Sequence, residues 1–467
     1  MKLFNTLTRT TEQLTPIEPN IIRLYTCGLT VYSQPHIGNW VGYIYWDVLV
    51  RVLEAEGNTV LRTQNITDVG HLTSDDDAGE DKMEKGARRE GITAWDVAKK
   101  YIDIADHEAY GVLRLRRPTQ LVRATDYIPQ QIAFARQLEA KGYTYLIDGD
   151  GIYFDTSKLT DYGKLARLDI DGLQAGARVS VEGKQSPTDF AIWKFSPIDS
   201  KRDMEWDSPW GVGFPGWHLE CSVIALETLG EQIDIHTGGI DHIPVHHTNE
   251  IAQTESVTGK PFASMWVHNN HIKVDGQKMS KSLNNIYTLQ DIQDKGFSIE
   301  AFKLLVVSKH YRTEGNFTWE NVTTAQHHLL NLRSVSVLRH QADETAAPNE
   351  GFNEFSQQLQ GILANDLDTV GAIAFIDKLM GTVEKNGVSP SDVATFEGIL
   401  ANIDTLLGIN LAQDADISDS LKQLVADRWQ ARQAGDWNKA DAIRDELSKH
   451  GIGVRDTQNK SIWFPLA

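Results

Sequence analysis

The stretch from Ile21 to Thr67 restricts the fold more than any other part of the chain. Ile21-Ile22-Arg23-Leu24-Tyr25-Thr26 reads as a buried strand, and Cys27-Gly28-Leu29-Thr30 as the turn at its carboxyl end. Helical periodicity runs from Ile37 to about Glu56, where Gly57 stops it, and Thr59 to Thr67 is strand-like again. Strand, helix and strand in that order predict a parallel α/β sheet with ligands at the strands' carboxyl ends. The helix opens on Pro35-His36-Ile37-Gly38-Asn39, where a glycine lets backbone N–H groups approach phosphate oxygens. About 240 residues later comes Lys278-Met279-Ser280-Lys281-Ser282, a dibasic, hydroxyl-rich loop. A mobile lysine pair supplies compact positive charge to a pentacovalent phosphate, so the two strings together suit ATP chemistry at the α-phosphate.

At 467 residues the chain is expected to form two to four domains. A hydrophobic share of 41% and a charged share of 23% are those of a soluble globular protein. No run of 18 apolar residues predicts a membrane span, and Met1-Lys2-Leu3-Phe4-Asn5-Thr6 lacks the apolar core of a signal peptide. A cytoplasmic enzyme is expected. The net charge of −19 argues against a nucleic-acid binder that is basic throughout, but RNA contact needs only a local positive surface. Residues 421–467 carry eight Lys/Arg against six Asp/Glu, a balance of +2. Arg114, Arg116, Arg117 and Arg123 form a second basic cluster. A solvated surface accounts for either cluster equally well.

Further along, a charged helix is expected from about Thr93 to Ala109. Residues 126–205 look like an insertion, with Gly149-Asp150-Gly151, a strand at Ile152-Tyr153-Phe154, glycines from Gly172 to Gly176 and weak helical signal. Strand and helix character returns from Trp217 to Val257. Beyond about Asn321 amphipathic helices take over, marked by Leu329, Leu330, Leu332 and Val335, then by Leu359, Ile362 and Leu363. The pattern continues from Asn365 to Met380, and another helix is expected from Pro390 to Leu407, with Ser389 as cap and Gly408 as stop. Residues 421–467 form a separate unit of two helices around Gly435-Asp436, then Gly451 and a short β-like end.

The chain has two cysteines, Cys27 and Cys221, and with no secretion signal a structural disulfide is not expected. His246-His247-Thr248-Asn249-Glu250 follows Cys221 by 25 residues. His246 and Glu250 share the i,i+4 spacing, and His247 and Glu250 the i,i+3 spacing, so either pair meets on a helix. His242 is four residues before His246, but Pro244 between them argues against one continuous helix. Two cysteines, a histidine and a glutamate make a four-ligand zinc set of soft thiolates and a borderline imidazole. Capping or core histidines are the plainer explanation of the same residues.

The two strings resemble the HIGH and KMSKS signatures of class I aminoacyl-tRNA synthetases. Cys27-Gly28-Leu29-Thr30-Val31-Tyr32, Asn65-Ile66-Thr67-Asp68, Gln174-Ala175-Gly176-Ala177-Arg178-Val179, Gly216-Trp217-His218-Leu219-Glu220-Cys221-Ser222 and His246-His247-Thr248-Asn249-Glu250 together resemble the cysteinyl-tRNA synthetases of bacterial type. The likeness runs from about residue 2 to 463. It implies a Rossmann-like α/β catalytic core (residues 1–125 and 206–320) interrupted by a connective insertion (126–205). A helical bundle (321–410) and a C-terminal α+β anticodon-binding unit (421–467) would follow.

The resemblance also implies roles. One zinc ion would be held by Cys27, Cys221, His246 and Glu250 and would take the thiol of L-cysteine as a further ligand. Gly28, Thr30 and Trp217 would wall the cysteine pocket. ATP with Mg²⁺ would lie against His36, Gly38, Asn39, Gly238, Gly239, Asp241 and Lys281, with His36, Lys278 and Lys281 stabilising the transition state. Arg432, Trp437, Asp441 and Asp456 would read the anticodon of tRNA(Cys), by stacking and by contacts to base edges. The chain departs from the family pattern at Asn39, Val41, Val69-Gly70-His71, His242-Ile243-Pro244-Val245 and Thr248. Serine differs from cysteine by one atom, so a steric sieve discriminates weakly, whereas zinc favours a thiolate over a hydroxyl. No editing domain is needed.

The implied function is ATP-dependent attachment of cysteine to tRNA(Cys) by a monomer without membrane contact. Two other readings stand beside it: a ligase passing the same adenylate to an amino sugar, and a silent paralogue that binds tRNA. The tail at 421–467 argues against the first, and the intact zinc set and lysine loop against the second.

Overall fold

The computed structural model describes residues 1–70, 81–168, 183–197, 202–457 and 460–466. Gln174 to Val179 and His71 therefore lie outside the described residues. A five-stranded parallel sheet forms the centre, in the order Ala263–Asn269, Ile233–Gly239, Ile21–Thr26, Thr59–Ile66, Gln120–Arg123. From Ile21–Thr26 the chain winds one way through Thr59–Ile66 and later the other way through Ile233–Gly239. The crevice at this reversal lies outside the carboxyl ends of the two inner strands, at Cys27 and Gly239, where an α/β sheet binds its ligands. The helix Ile37–Ala55 crosses between the first pair of strands and buries Ile37, Trp40, Ile44, Val48, Leu49 and Val52.

Between Gln120–Arg123 and Ile233–Gly239 stands a four-stranded antiparallel sheet, Thr144–Ile147, Gly151–Phe154, Phe190–Phe195 and Gly213–Pro215. Its weak helical signal conceals a 13-residue helix, Ile128–Ala140, with a proline in the first turn. The charged helix Ala94–Asp106 runs on into a π turn, His107–Val112, which aims the Glu108 carboxylate at Trp40 Nε1, 2.8 Å away.

Four helices, Trp319–Ser336, Phe352–Leu363, Thr369–Asn386 and Val393–Leu407, form the bundle. Helical periodicity does not carry from Asn365 to Met380 as expected. Asp366 and Leu367 take left-handed backbone at φ 59° and 49°. In return the Asp366 carboxylate accepts from Phe4 N–H, Tyr311 O–H and Arg312 at 2.8, 2.6 and 2.6 Å, a set that outweighs one more helical turn. The last bundle helix starts at Val393 rather than Pro390, because the Asp392 N–H closes a turn on Ser389 O at 2.9 Å. Gly408 ends it at φ 66°, as expected.

Cations from the helices Ile37–Ala55 and Ile299–Val307 satisfy the exposed carbonyls at that helix end. Arg51 donates to Asp404 O and Thr405 O at 3.0 and 3.1 Å, and Lys303 Nζ to Gly408 O at 2.7 Å. One continuous apolar cluster, from Leu24 and Leu49 to Leu359 and Ile403, joins core and bundle. The tail pairs the helices Asp419–Gln433 and Trp437–Lys449 with the hairpin Ile452–Asp456 and Ser461–Pro465. Among the described residues no helix is long and apolar enough to cross a membrane.

Candidate active site and metal centre

Cys27 leaves the central strand at its carboxyl end. Cys221 lies in the helix Trp217–Leu229, and His246 and Glu250 lie one turn apart in the helix His246–Thr258. One ligand atom from each falls within 4.8 Å of the others, and all four residues are buried. The two sulfurs are 3.9 Å apart, and His246 Nε2 is 3.0 Å from Glu250 Oε1. Pro244 does stop the helix short of His242, which sits in the preceding 3-10 turn.

In the metal-free cluster the charges balance internally. Burial raises the Glu250 carboxyl, but His236 and His246 overcome it and draw its pKa down to about 2. Burial likewise opposes ionisation of Cys221, yet the hydrogen bond with Cys27 brings the thiol down to about 7. His246, opposed by burial but facing Glu250 and Cys221, is raised to about 10. Two cysteines, a histidine and a glutamate, closed off from water around one point, are by residue type a donor set for a borderline-soft metal, which would displace the protons they hold without it.

Sequence reasoning missed two histidines. A second set of donors, Cys27, His236, His247 and Glu250, also lies within 4.8 Å. His236 Nε2 is 2.8 Å from Glu250 Oε2, and His247 Nε2 is 3.3 Å from Cys27 Sγ. His247 Nδ1 pairs with His268 Nε2 at 2.8 Å, and His268 Nδ1 with Thr6 Oγ1 at 2.7 Å. These partners fix the orientation of the inner ligands. His236 and His268 belong to adjacent parallel strands. The signal that could have found them is an imidazole inside an apolar strand such as Ile233-Asp234-Ile235-His236.

Around this centre the pocket is tight. A Cβ on Gly28 would run into the Asn65 carbonyl, and Gly28 N–H donates to Asn65 Oδ1 at 2.7 Å, so only glycine fits. Thr30 bridges Thr67 in parallel pairing. Trp217 opens its helix and tilts over His246 with ring centroids 4.5 Å apart, and Lys82 Nζ lies 5.5 Å from the Trp217 ring. Gly238 and Gly239 end their strand beside this cluster of possible ligands, and the Asp241 carboxylate folds back over Gly239.

The two strings separated in sequence touch in space. A Cβ on Gly38 would collide with the Met279 methyl of the lysine loop, and Ile37 N–H donates to Tyr287 O at 2.8 Å. Asn39 Oδ1 accepts from His36 N–H at 3.0 Å, so its carbonyl closes the helix start. Burial holds the His36 imidazole below its ordinary pKa, and its Nδ1 is enclosed without a partner. Asn285 bridges the loop, accepting from Ser280 N–H at 2.8 Å and donating to Lys278 O at 3.2 Å. The Lys278 residue is exposed, and Lys281 begins a 3-10 turn.

In the tail, Arg432 lies over the Trp437 ring at 5.1 Å and bonds Asp456 Oδ2 at 2.9 Å, and Trp437 is 57% exposed. Asp441 instead pairs with Arg444 at 3.0 Å on the open helix face, away from that group's bonds.

Comparison with known proteins accounts for both halves. Residues 13–327 match the family described as tRNA synthetases class I (C) catalytic domain, and residues 414–463 the cysteinyl-tRNA ligase anticodon binding domain. Cysteine–tRNA ligase 1 of Burkholderia lata is 43% identical over 100% of this chain and 97% of its own length. The cysteine–tRNA ligase of Novosphingobium aromaticivorans is 41% identical over 98% and 95%. Among solved structures, Mycobacterium tuberculosis methionyl-tRNA synthetase bound by methionyl-adenylate covers 83% of this chain and 92% of its own, with a TM-score of 0.57 and 14% identity, a likeness of fold alone.

Proposed function

The chain belongs to the class I cysteinyl-tRNA synthetase family, and we propose that it activates L-cysteine with ATP and transfers it to the 3′ end of tRNA(Cys). The observation that carries this reading is full-length identity to cysteine–tRNA ligases that includes the anticodon-binding tail. The tail also disfavours transfer to an amino sugar, which has no use for it. In the first step an oxygen of the cysteine carboxylate attacks the α-phosphorus in line. The bond to the β-phosphate oxygen breaks, and pyrophosphate leaves. In the second, a hydroxyl of the terminal ribose attacks the carbonyl carbon and AMP leaves.

No side chain of this chain need be a nucleophile, so its work is positioning and charge. Gly38 and the helix start would receive phosphate oxygens, and Asn39 would add an amide donor beside them. His36 would donate to the α-phosphate, and Lys278 and Lys281 would neutralise charge as pyrophosphate departs, with Mg²⁺ carried in on ATP. Gly238 and Gly239 would face adenosine, and Asp241 would accept from ribose hydroxyls. Cys27, Cys221, His246 and Glu250 would hold zinc, which when bound selects a thiolate over a hydroxyl. Gly28, Thr30 and Trp217 would shape the cavity around the substrate. Arg432, Trp437, Asp441 and Asp456 would meet the anticodon, with Asp441 the least supported because it is paired on an open face. The same proposal takes 1–125 and 206–320 as catalytic, 126–205 as connective, 321–410 as bundle and 421–467 as anticodon unit, in a cytoplasmic monomer.

The test is pyrophosphate exchange with L-cysteine and L-serine, followed by charging of purified tRNA. Exchange with cysteine alone, then charging, is the expected result. Exchange without charging would return the amino-sugar reading, and no exchange by zinc-replete protein would overturn the proposal.

A further inference from the structure

His242 is one of the chain's departures from the family pattern, and nothing above gives it a task. Its ring stands where the two halves of the cleft meet. Edge-on to Trp217 with centroids 6.3 Å apart, it is 5.2 Å from the His246 ring and 5.1 Å from the His247 ring. Its Nδ1 lies 2.7 Å from the point where a Cβ on Gly238 would sit. On one side is the cluster of Cys27, Cys221, His246 and Glu250, and on the other the strand end at Gly238 and Gly239, which the proposed function gives to adenosine.

The two ring nitrogens differ. Nδ1 is enclosed and makes no hydrogen bond. Nε2 is not enclosed, and among the described residues nothing bonds it, while the residue as a whole is only half-covered. A buried N–H without an acceptor is rarer and costlier than a buried lone pair. The neutral tautomer therefore carries its proton on Nε2, the nitrogen that is not enclosed. An N–H donor placed between the proposed thiol site and the proposed adenosine site is suited to one substrate group in particular, the carboxylate that joins them.

Resting on the cysteine-activation reading, we propose that His242 Nε2–H donates to the carboxylate of L-cysteine and holds one oxygen while the other attacks the α-phosphorus. His242 is thus a substrate-binding residue that sets specificity for an amino acid over a bare thiol amine. A leucine at this position could pack against Trp217 but could not make the bond.

The experiment compares His242→Leu and His242→Gln with the parent enzyme. It measures equilibrium binding of L-cysteine and of cysteamine, which lacks the carboxylate, along with pyrophosphate exchange and zinc content. Removing a donor to a charged group costs about tenfold or more in affinity. We expect His242→Leu to weaken L-cysteine about tenfold and leave cysteamine, the KM for ATP and bound zinc unchanged. His242→Gln, which keeps an amide N–H, should restore part of the loss. Equal weakening of both thiols, or loss of zinc, would assign His242 to supporting the metal site and overturn the proposal, as would unchanged cysteine affinity. Parent enzyme that binds and exchanges no cysteine would instead overturn the reading on which it rests.

Discussion

In the proposed thiol site Cys221, His246 and Glu250 are almost wholly covered, and each is already bonded to another member of the cluster or to His236. Across the cleft, Lys278 stands exposed on a loop held mainly by Asn285 and by the packing of Met279 on Gly38. The difference agrees with the role proposed for each side. Choosing sulfur over oxygen needs donors fixed before the substrate arrives, because any slack lets the wrong atom be accommodated. Neutralising a phosphate that changes shape along the reaction needs charge able to move with it.

Breaking the rigid side should have the largest effect. Cys221→Ser removes one soft donor from a closed set, and we expect loss of bound zinc and about a thousandfold loss in kcat/KM for cysteine. ATP affinity should stay within about twofold. Metal analysis and equilibrium dialysis of each substrate separately check this, and parallel loss of ATP binding would show that the two sides are one unit. On the mobile side, Lys278→Ala should lower kcat of exchange about a hundredfold with little change in cysteine affinity, since the charge is needed only as the phosphate reacts. A rise in cysteine KM with kcat unchanged would place Lys278 in ground-state binding instead.

The same division explains what the sequence disclosed. The strand–helix–strand pattern and the four donors were legible because periodicity and residue chemistry are local properties, and the His246–Glu250 spacing needs only one helix turn. His236 and His268 were not, because their roles depend on which strands become neighbours. Asn39 looked like an ATP contact alone, and its capping of His36 appears only with the helix start in place. The break at Asp366 escaped notice because its reason lies in Phe4, Tyr311 and Arg312, distant in sequence.

A second lysine sharpens the contrast with Lys278. Lys303 is 2% exposed and spends its N–H groups on Leu113 O and Gly408 O at 3.0 and 2.7 Å. Burial, eased by Asp47, lowers its pKa from 10.5 to about 8. The unfolded chain therefore binds more protons than the folded one between those values, so this group adds stability as pH rises from about 8 to 10.5 and has lost that gain once pH has fallen back to about 8. The expected gain from pH 8 to pH 10 is about 2 kcal/mol. Urea midpoints across that range should show it in the parent and not in Lys303→Met. An equal slope in both would mean that the lysine stays charged in the folded state.

The tail offers the gentlest test, because it asks whether the rigid and mobile sides of the cleft act without it. Asp456 is held from two directions, by Arg428 at 2.6 Å and by Arg432 at 2.9 Å. Arg432→Ala leaves the Arg428 bond in place, so the hairpin keeps its anchor while the Trp437 face loses its cation. We expect tRNA KM in charging to rise about tenfold, the scale of one lost base-edge or stacking contact. Cysteine-dependent pyrophosphate exchange, which needs no tRNA, should be unchanged. A fall in exchange would mean that the tail reaches the cleft through the bundle. The route available is the cation-capped end of the helix Val393–Leu407, where Arg51 and Lys303 grip the bundle from the catalytic core.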